Sequence, residues 1–226
     1  MIDFAQNIKL NFGAKYVAED TASYILYKFD RASLNGGAVS MERFARFLGL
    51  EIMCEYITGD CTEILGTAVF EPQRIYLRCG FADCVAPSAI VERDVIESGN
   101  GALYNFTLAI LCAEYLFYRV KNGEQENGQL SFGLESVESE RNVSANINSA
   151  FALIEAEEGA ASFALKLLLP KNGFKRQVAE LYAQFGVNRA TVDGERHLPA
   201  VLESLAERYN APEAAVAARL KELNLY

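Results

Sequence analysis

Glu114 is the residue of this chain whose setting most demands a chemical explanation. It lies in Phe106-Thr-Leu-Ala-Ile-Leu-Cys-Ala-Glu-Tyr-Leu-Phe-Tyr118, a run that is otherwise almost wholly apolar. An unpaired carboxylate there is expensive, so it must be protonated or partnered. The plain alternative is a side chain that hydrogen-bonds locally or reaches solvent. A second acidic group, Glu155, Glu157 and Glu158, reads first as a solvated helix face. Glu157, however, shares a helical stripe with Ala161, Ala164 and Leu168, which argues that it points inward. Metal chemistry through nitrogen is restricted at once. The chain has 1 histidine, His197, in the polar turn Asp193-Gly-Glu-Arg-His197, so a two-histidine zinc site within one chain is impossible. The 5 cysteines, Cys54, Cys61, Cys79, Cys84 and Cys112, show no CxxC spacing and read as small buried apolar residues. Ser98-Gly-Asn-Gly101 lacks Walker spacing and a basic partner, so it is a turn and not a phosphate cradle.

The whole chain narrows the classes further. At 226 residues and 51% hydrophobic composition it has the length and apolar content for a real core. A net charge of −9 argues against a broad nucleic-acid surface, which requires clustered lysine and arginine. The odd cysteine count and the lack of a secretory start predict reduced thiols in the cytoplasm. Residues 102–120 are apolar enough to raise the question of a membrane span, but Asn105, Thr107 and Glu114 interrupt them, and a buried helix is expected instead.

The elements that position these residues follow from periodicity and punctuation. Residues 4–30 read as one or two helices, with Ala18, Ala22, Ile25, Leu26 and Phe29 on one face. Asn35-Gly36-Gly37 breaks the chain. Ser40 is the expected N-cap of a helix Met41–Leu48, which Gly49 stops. Strands are predicted at Leu50–Ile57, Leu65–Phe70, Arg74–Cys79 and Ile90–Ile96, with Glu71-Pro72-Gln73 as a hairpin turn and 80–89 as loop. The central helix is expected at 103–119, buried on all sides. Residues 121–145 read as a polar surface loop, and a second long helix is expected from 146 to 169, ended by Pro170 and Gly173. A repeat closes the chain: Leu181, Phe185, Gly186 and Val192 match Leu205, Tyr209, Asn210 and Val216, each copy a helix, a tight turn and another helix.

The central run resembles the active-site helix of the ImmA/IrrE family of zinc peptidases, roughly F-T-x-A-H-E-x-G-H, with its zinc chemistry removed. Phe106, Thr107 and Ala109 fit, while Ile110, Leu111 and Glu114 stand where that family carries His, Glu and His. Histidines at i and i+4 grip one zinc, and the adjacent glutamate activates the metal-bound water. Ile110 offers no lone pair and Leu111 accepts no proton. Other segments are similar to the family in the same order: Ala45, Leu48, Gly49 and Leu50 before the first strand; Ile64-Leu-Gly66; Phe163, Ala164, Leu167, Leu168 and Pro170 of its "F-A-x-x-L-L-M-P"; and Leu205–Leu223, similar to its tail "L-A-x-x-F-x-V-S-x-x-A-V-x-x-R-L-x-x-L". Glu157 is the best match to the family's further acidic ligand, so Glu114 and Glu157 become candidates for a facing pair that shares a proton or holds a hard cation.

The resemblance implies an α+β zincin-like fold with a small twisted sheet, a buried central helix and a helical C-terminal part. It divides the chain into a helical segment 1–39, a degenerate zincin-like domain 40–172, and a helical repeat 173–226 packed on it. It implies a catalytically inactive pseudopeptidase in a bacterial or mobile-element setting, with no cofactor and no zinc, that binds another protein such as a transcriptional repressor. Two alternatives stand beside it: a hydrolase rebuilt around Glu114 and Glu157, and a DNA-binding regulator using the C-terminal repeat. Against the last, Pro212-Glu-Ala-Ala-Val-Ala-Ala-Arg219 is alanine-rich and carries an early glutamate, unlike a recognition helix.

Overall fold

The computed structural model describes residues 15–57, 64–85, 87–126, 142–146, 159–186 and 193–226. They form an α+β arrangement in which helices cover one face of a small mixed sheet and a hairpin covers the other. Helix α1 (Lys15–Phe29) buries Ala22, Ile25 and Leu26, the face the sequence predicts. A 3-10 turn, Arg31–Asn35, follows, capped by Asp30, whose Oδ1 accepts the Ala32 N–H at 3.0 Å. Helix α2 (Met41–Leu48) starts where expected, with Ser40 Oγ accepting the Arg43 N–H at 3.4 Å. It ends at Gly49, whose φ of 86° is left-handed and suits glycine.

The sheet runs in the order β1-β5-β2-β6, with β1 (Glu51–Glu55), β2 (Ile64–Val69), β5 (Ser88–Glu92) and β6 (Asn142–Asn146). Strands β1 and β5 are parallel, and β2 is antiparallel to both β5 and β6. Alternation along β5 separates two cores: Ala89 and Val91 face the helices, whereas Ile90 joins Ile57, Val69, Ile75 and Cys84 beneath the hairpin. That hairpin is β3 (Gln73–Leu77) with β4 (Gly80–Cys84).

Four expectations change here. Glu71-Pro72-Gln73 does not close a hairpin between its flanking strands: β2 pairs with β5 and β6, and β3 pairs with β4 across Arg78-Cys79. Residues 80–84, expected as loop, are a strand, and so are Asn142–Asn146 at the end of the expected polar loop. The strand expected through Ile96 stops at Glu92, and Arg93–Glu97 is a short helix, α3.

The central helix α4 (Gly101–Glu126) is longer at both ends than expected and is buried from Asn105 to Ala113. Helix α5 (Gly159–Leu168) falls within the second helix expected from 146 to 169, whose first residue instead closes β6 and whose residues 147–158 lie outside the described residues; its one polar intrusion is Ser162 with Lys166. Pro170 ends it and begins α6 (Lys171–Gln184). Gly173 does not act as a stop. It lies in the first turn of α6, pressed so close to the 3-10 turn that a Cβ there would meet the Gly36 amide nitrogen at 2.5 Å. Helices α7 (Asp193–Tyr209) and α8 (Glu213–Glu222) complete the chain. The repeat has the expected geometry where it is described: α6 turns at Gly186 with φ 64° and α7 turns at Asn210 with φ 48°. Leu181, Leu205 and Val216 are buried, while Val192 lies outside the described residues.

Candidate functional site

Helix α4 lies directly on β2. Gly66 allows the approach, because a Cβ there would sit 2.7 Å from the Ile90 carbonyl oxygen, 3.0 Å from Leu111 Cδ1 and 3.2 Å from Thr107 Cγ2. Leu111, which the sequence resemblance sets against a general base, is a packing residue against the sheet and is 0% exposed. Ile110 beside it is 3% exposed. Neither side chain offers a metal ligand or a proton acceptor.

Glu114 is half-buried and engaged in an interaction, so its carboxylate is not isolated. It follows Thr107 and Leu111 at helical spacing, one turn before Tyr118. Tyr118 stacks on Phe70 with ring centroids 4.4 Å apart and donates its hydroxyl to Glu71 at 3.3 Å. Glu157 lies outside the described residues, as do Glu155 and Glu158, so the expected facing pair has one described member. Cys112 is fully buried, and burial pushes its thiol far above the usual range, which removes it as a nucleophile. Asn105 ties the start of α4 to two other segments: its Oδ1 accepts the Met41 N–H at 3.0 Å, and its Nδ2 donates to the carbonyls of Val39 and Asn210 at 3.2 and 3.1 Å.

The polar interior lies elsewhere, between α1, α5 and α8. Arg219 of α8 is 0% exposed and reaches three groups. Its Nη2 meets Glu19 of α1 at 2.6 Å, its Nη1 meets Glu222 at 2.5 Å, and its Nε donates to the Leu169 carbonyl at 3.1 Å. Lys166 of α5 joins the same group, with Nζ 2.9 Å from Glu222 Oε1 and 2.9 Å from Ser162 Oγ. The Lys166–Glu222 contact is a buried ion pair. Burial would raise the Glu222 pKa, but Arg219 and Lys166 beside it outweigh burial and hold it below its ordinary value. Two cations face two carboxylates, so the cluster is electrically balanced.

Ser162 and Lys166 at i and i+4 are residue types that elsewhere supply a nucleophile and its base. Here the ammonium is spent on Glu222, and the two residues are 5% and 2% exposed. The arrangement clamps three helices and presents no reacting group to solvent. It also joins two of the segments that carry the family resemblance, because Arg219 of the tail holds the carbonyl immediately before Pro170 of the Phe163–Pro170 segment.

The sequence reading missed this cluster. Its trace was present in Lys166, the one charge inside an apolar helix, and in the spacing of Arg219 and Glu222. His197 also differs from expectation: it lies in α7, not a loop, and stacks on Phe185 with ring centroids 6.2 Å apart. Among the described residues, no group of three or more His, Cys, Asp or Glu side chains is placed to hold a metal ion, and no helix is long and apolar enough to cross a membrane.

Comparison with protein-family models, with curated proteins and with solved structures returns no match.

Proposed function

We propose that this chain is a degenerate zincin-like relative of the ImmA/IrrE peptidases that acts by binding another protein, a transcriptional repressor being the class of partner the resemblance suggests. The observation that carries the reading is the fate of Ile110 and Leu111. They stand at two successive positions of the family's zinc motif, in a helix flanked by matching residues, and both are packed into the core. The order of the remaining motifs supports it, and so does the contact between Arg219 and Leu169, which gives two of those motifs a shared structural purpose. A chain with this interior has lost both the metal ligand and the base, and a missing base alone costs about 10²–10⁴ in rate. What remains for such a fold is recognition. The DNA-reading alternative is weakened by the same cluster, since the arginine of α8 is wholly internal and cannot reach a base edge.

The test is co-purification with the repressor encoded nearest to this chain, followed by mass analysis of both proteins. A stable complex with intact repressor is expected. Cleavage of the repressor, or no complex at all, would overturn the proposal.

A further inference from the structure

Sheet edges are templates for further strands, and proteins guard them. The edge of β1 is guarded. Glu51 N–H bonds the Pro87 carbonyl toward β5, so the carbonyls of Cys54 and Tyr56 point away from that neighbour. Cys54 O is taken by Arg93 Nη2 at 3.1 Å and Tyr56 O by the Arg78 N–H at 2.9 Å. The edge of β4 has no such guard among the described residues. The two-residue turn Arg78-Cys79 makes Leu77–Gly80, and then Ile75–Ala82, the bonded pairs of the hairpin. The N–H and C=O groups of Phe81 and Asp83 therefore point outward from β4.

The outer face of the same hairpin is aromatic. Tyr76 is 75% exposed and its cross-strand neighbour Phe81 is 58% exposed, with Val85 beyond them at 68%. No lysine or proline interrupts Gly80–Cys84, and the one charge, Asp83, is neutralised by Arg74 at 2.7 Å. Arg74 also lies over the Phe81 ring, 4.2 Å from its centroid.

We infer that β4 is an association edge whose occupant is a second copy of this chain, paired antiparallel about a two-fold axis at Ala82. That register sets Phe81 opposite Asp83 of the second copy, so the outward main-chain groups of both residues are satisfied in both directions. It also sets each Asp83 beside the Phe81 on which the other copy's Arg74 rests. The edge is thus complementary to itself in hydrogen bonding and in charge, which is what an isologous contact requires. The two hairpins become one antiparallel sheet with its aromatic face continuous across the axis.

Sedimentation equilibrium tests this on the full chain, its F81K variant, and R74D and D83R separately and mixed. The expected result is a dimer for the parent chain and a monomer for F81K with unchanged circular dichroism. R74D and D83R should each be monomeric, because like charges then meet across the axis, and should associate when mixed, because opposite charges do. A parent chain that stays monomeric, a dimer that survives F81K, or variants that remain apart on mixing would overturn the inference. Should F81K fail to fold, the mixing arm still decides.

Discussion

The helical half of this molecule is held by two buried groups of opposite kind. Along α4, Thr107, Ile110 and Leu111 make an interior of hydrocarbon and one hydroxyl, and under the proposed resemblance Ile110 and Leu111 stand where polar groups are expected. Between α1, α5 and α8, Glu19, Lys166, Arg219 and Glu222 form a buried cluster of charge. Buried charge persists only when every member is paired, and an incomplete set is worse than hydrocarbon. The second group meets that condition without an open coordination site. The difference teaches that buried charge in this chain marks a joint between helices, whereas the fully buried stretch of α4, from Asn105 to Ala113, carries no charge and packs on the sheet.

Breaking the ionic joint should have the largest effect. Arg219→Ala leaves Glu19 and Glu222 facing Lys166 alone, and removal of one partner from such a cluster costs about 3–5 kcal/mol. Urea denaturation would measure it, and a loss below about 1 kcal/mol, the scale of an exposed pair, would mean that the cluster is not buried in solution. Leu111→Ala on α4 should cost about 2–5 kcal/mol, as a cavity against β2. A near-neutral result would mean that position 111 opens to solvent, as a catalytic base must, and would dissolve the contrast between the two regions.

Acid should separate the regions as well. The folded Glu222 pKa lies below its ordinary value of 4.5. Its contribution is therefore complete above that value and is lost as pH falls through the lower folded value. Unfolding free energy followed from pH 6 downward should decline more in the parent chain than in Glu222→Gln, whereas Leu111→Ala should follow the parent's slope. Equal slopes for parent and Glu222→Gln would remove the carboxylate from the joint.

The smallest effect is expected at Tyr209. Its ring packs on Phe174 with centroids 5.6 Å apart, its hydroxyl is buried without a partner among the described residues, and burial pushes its pKa up to about 12. The first copy of the repeat carries Phe185 at this place. Tyr209→Phe should be neutral or stabilising by up to about 1 kcal/mol, because it removes an unsatisfied polar group. Thermal denaturation resolves the sign, and a clear loss would reveal a hydrogen bond to the hydroxyl.

Local signals were legible in the sequence and non-local ones were not. Ser40, Gly49, Gly186 and Asn210 marked helix ends correctly, because capping and left-handed turns depend on a few adjacent residues. The burial of α4 was equally plain from its composition. Strand pairing was not. Pro72 looked like a hairpin turn but leads the chain from the sheet into a separate layer, and Gly80-Phe-Ala-Asp-Cys84 has too little β-branched character to read as a strand. The ionic joint was the least visible of all, since Arg219 and Glu19 are 200 residues apart and no spacing rule connects them.

Metal content tests the central claim most directly. The chain, expressed with zinc in the medium and purified without chelator, should contain well below one zinc per molecule by inductively coupled plasma mass spectrometry. Stoichiometric zinc that survives dialysis would contradict the reading of Ile110 and Leu111 as the end of the peptidase chemistry.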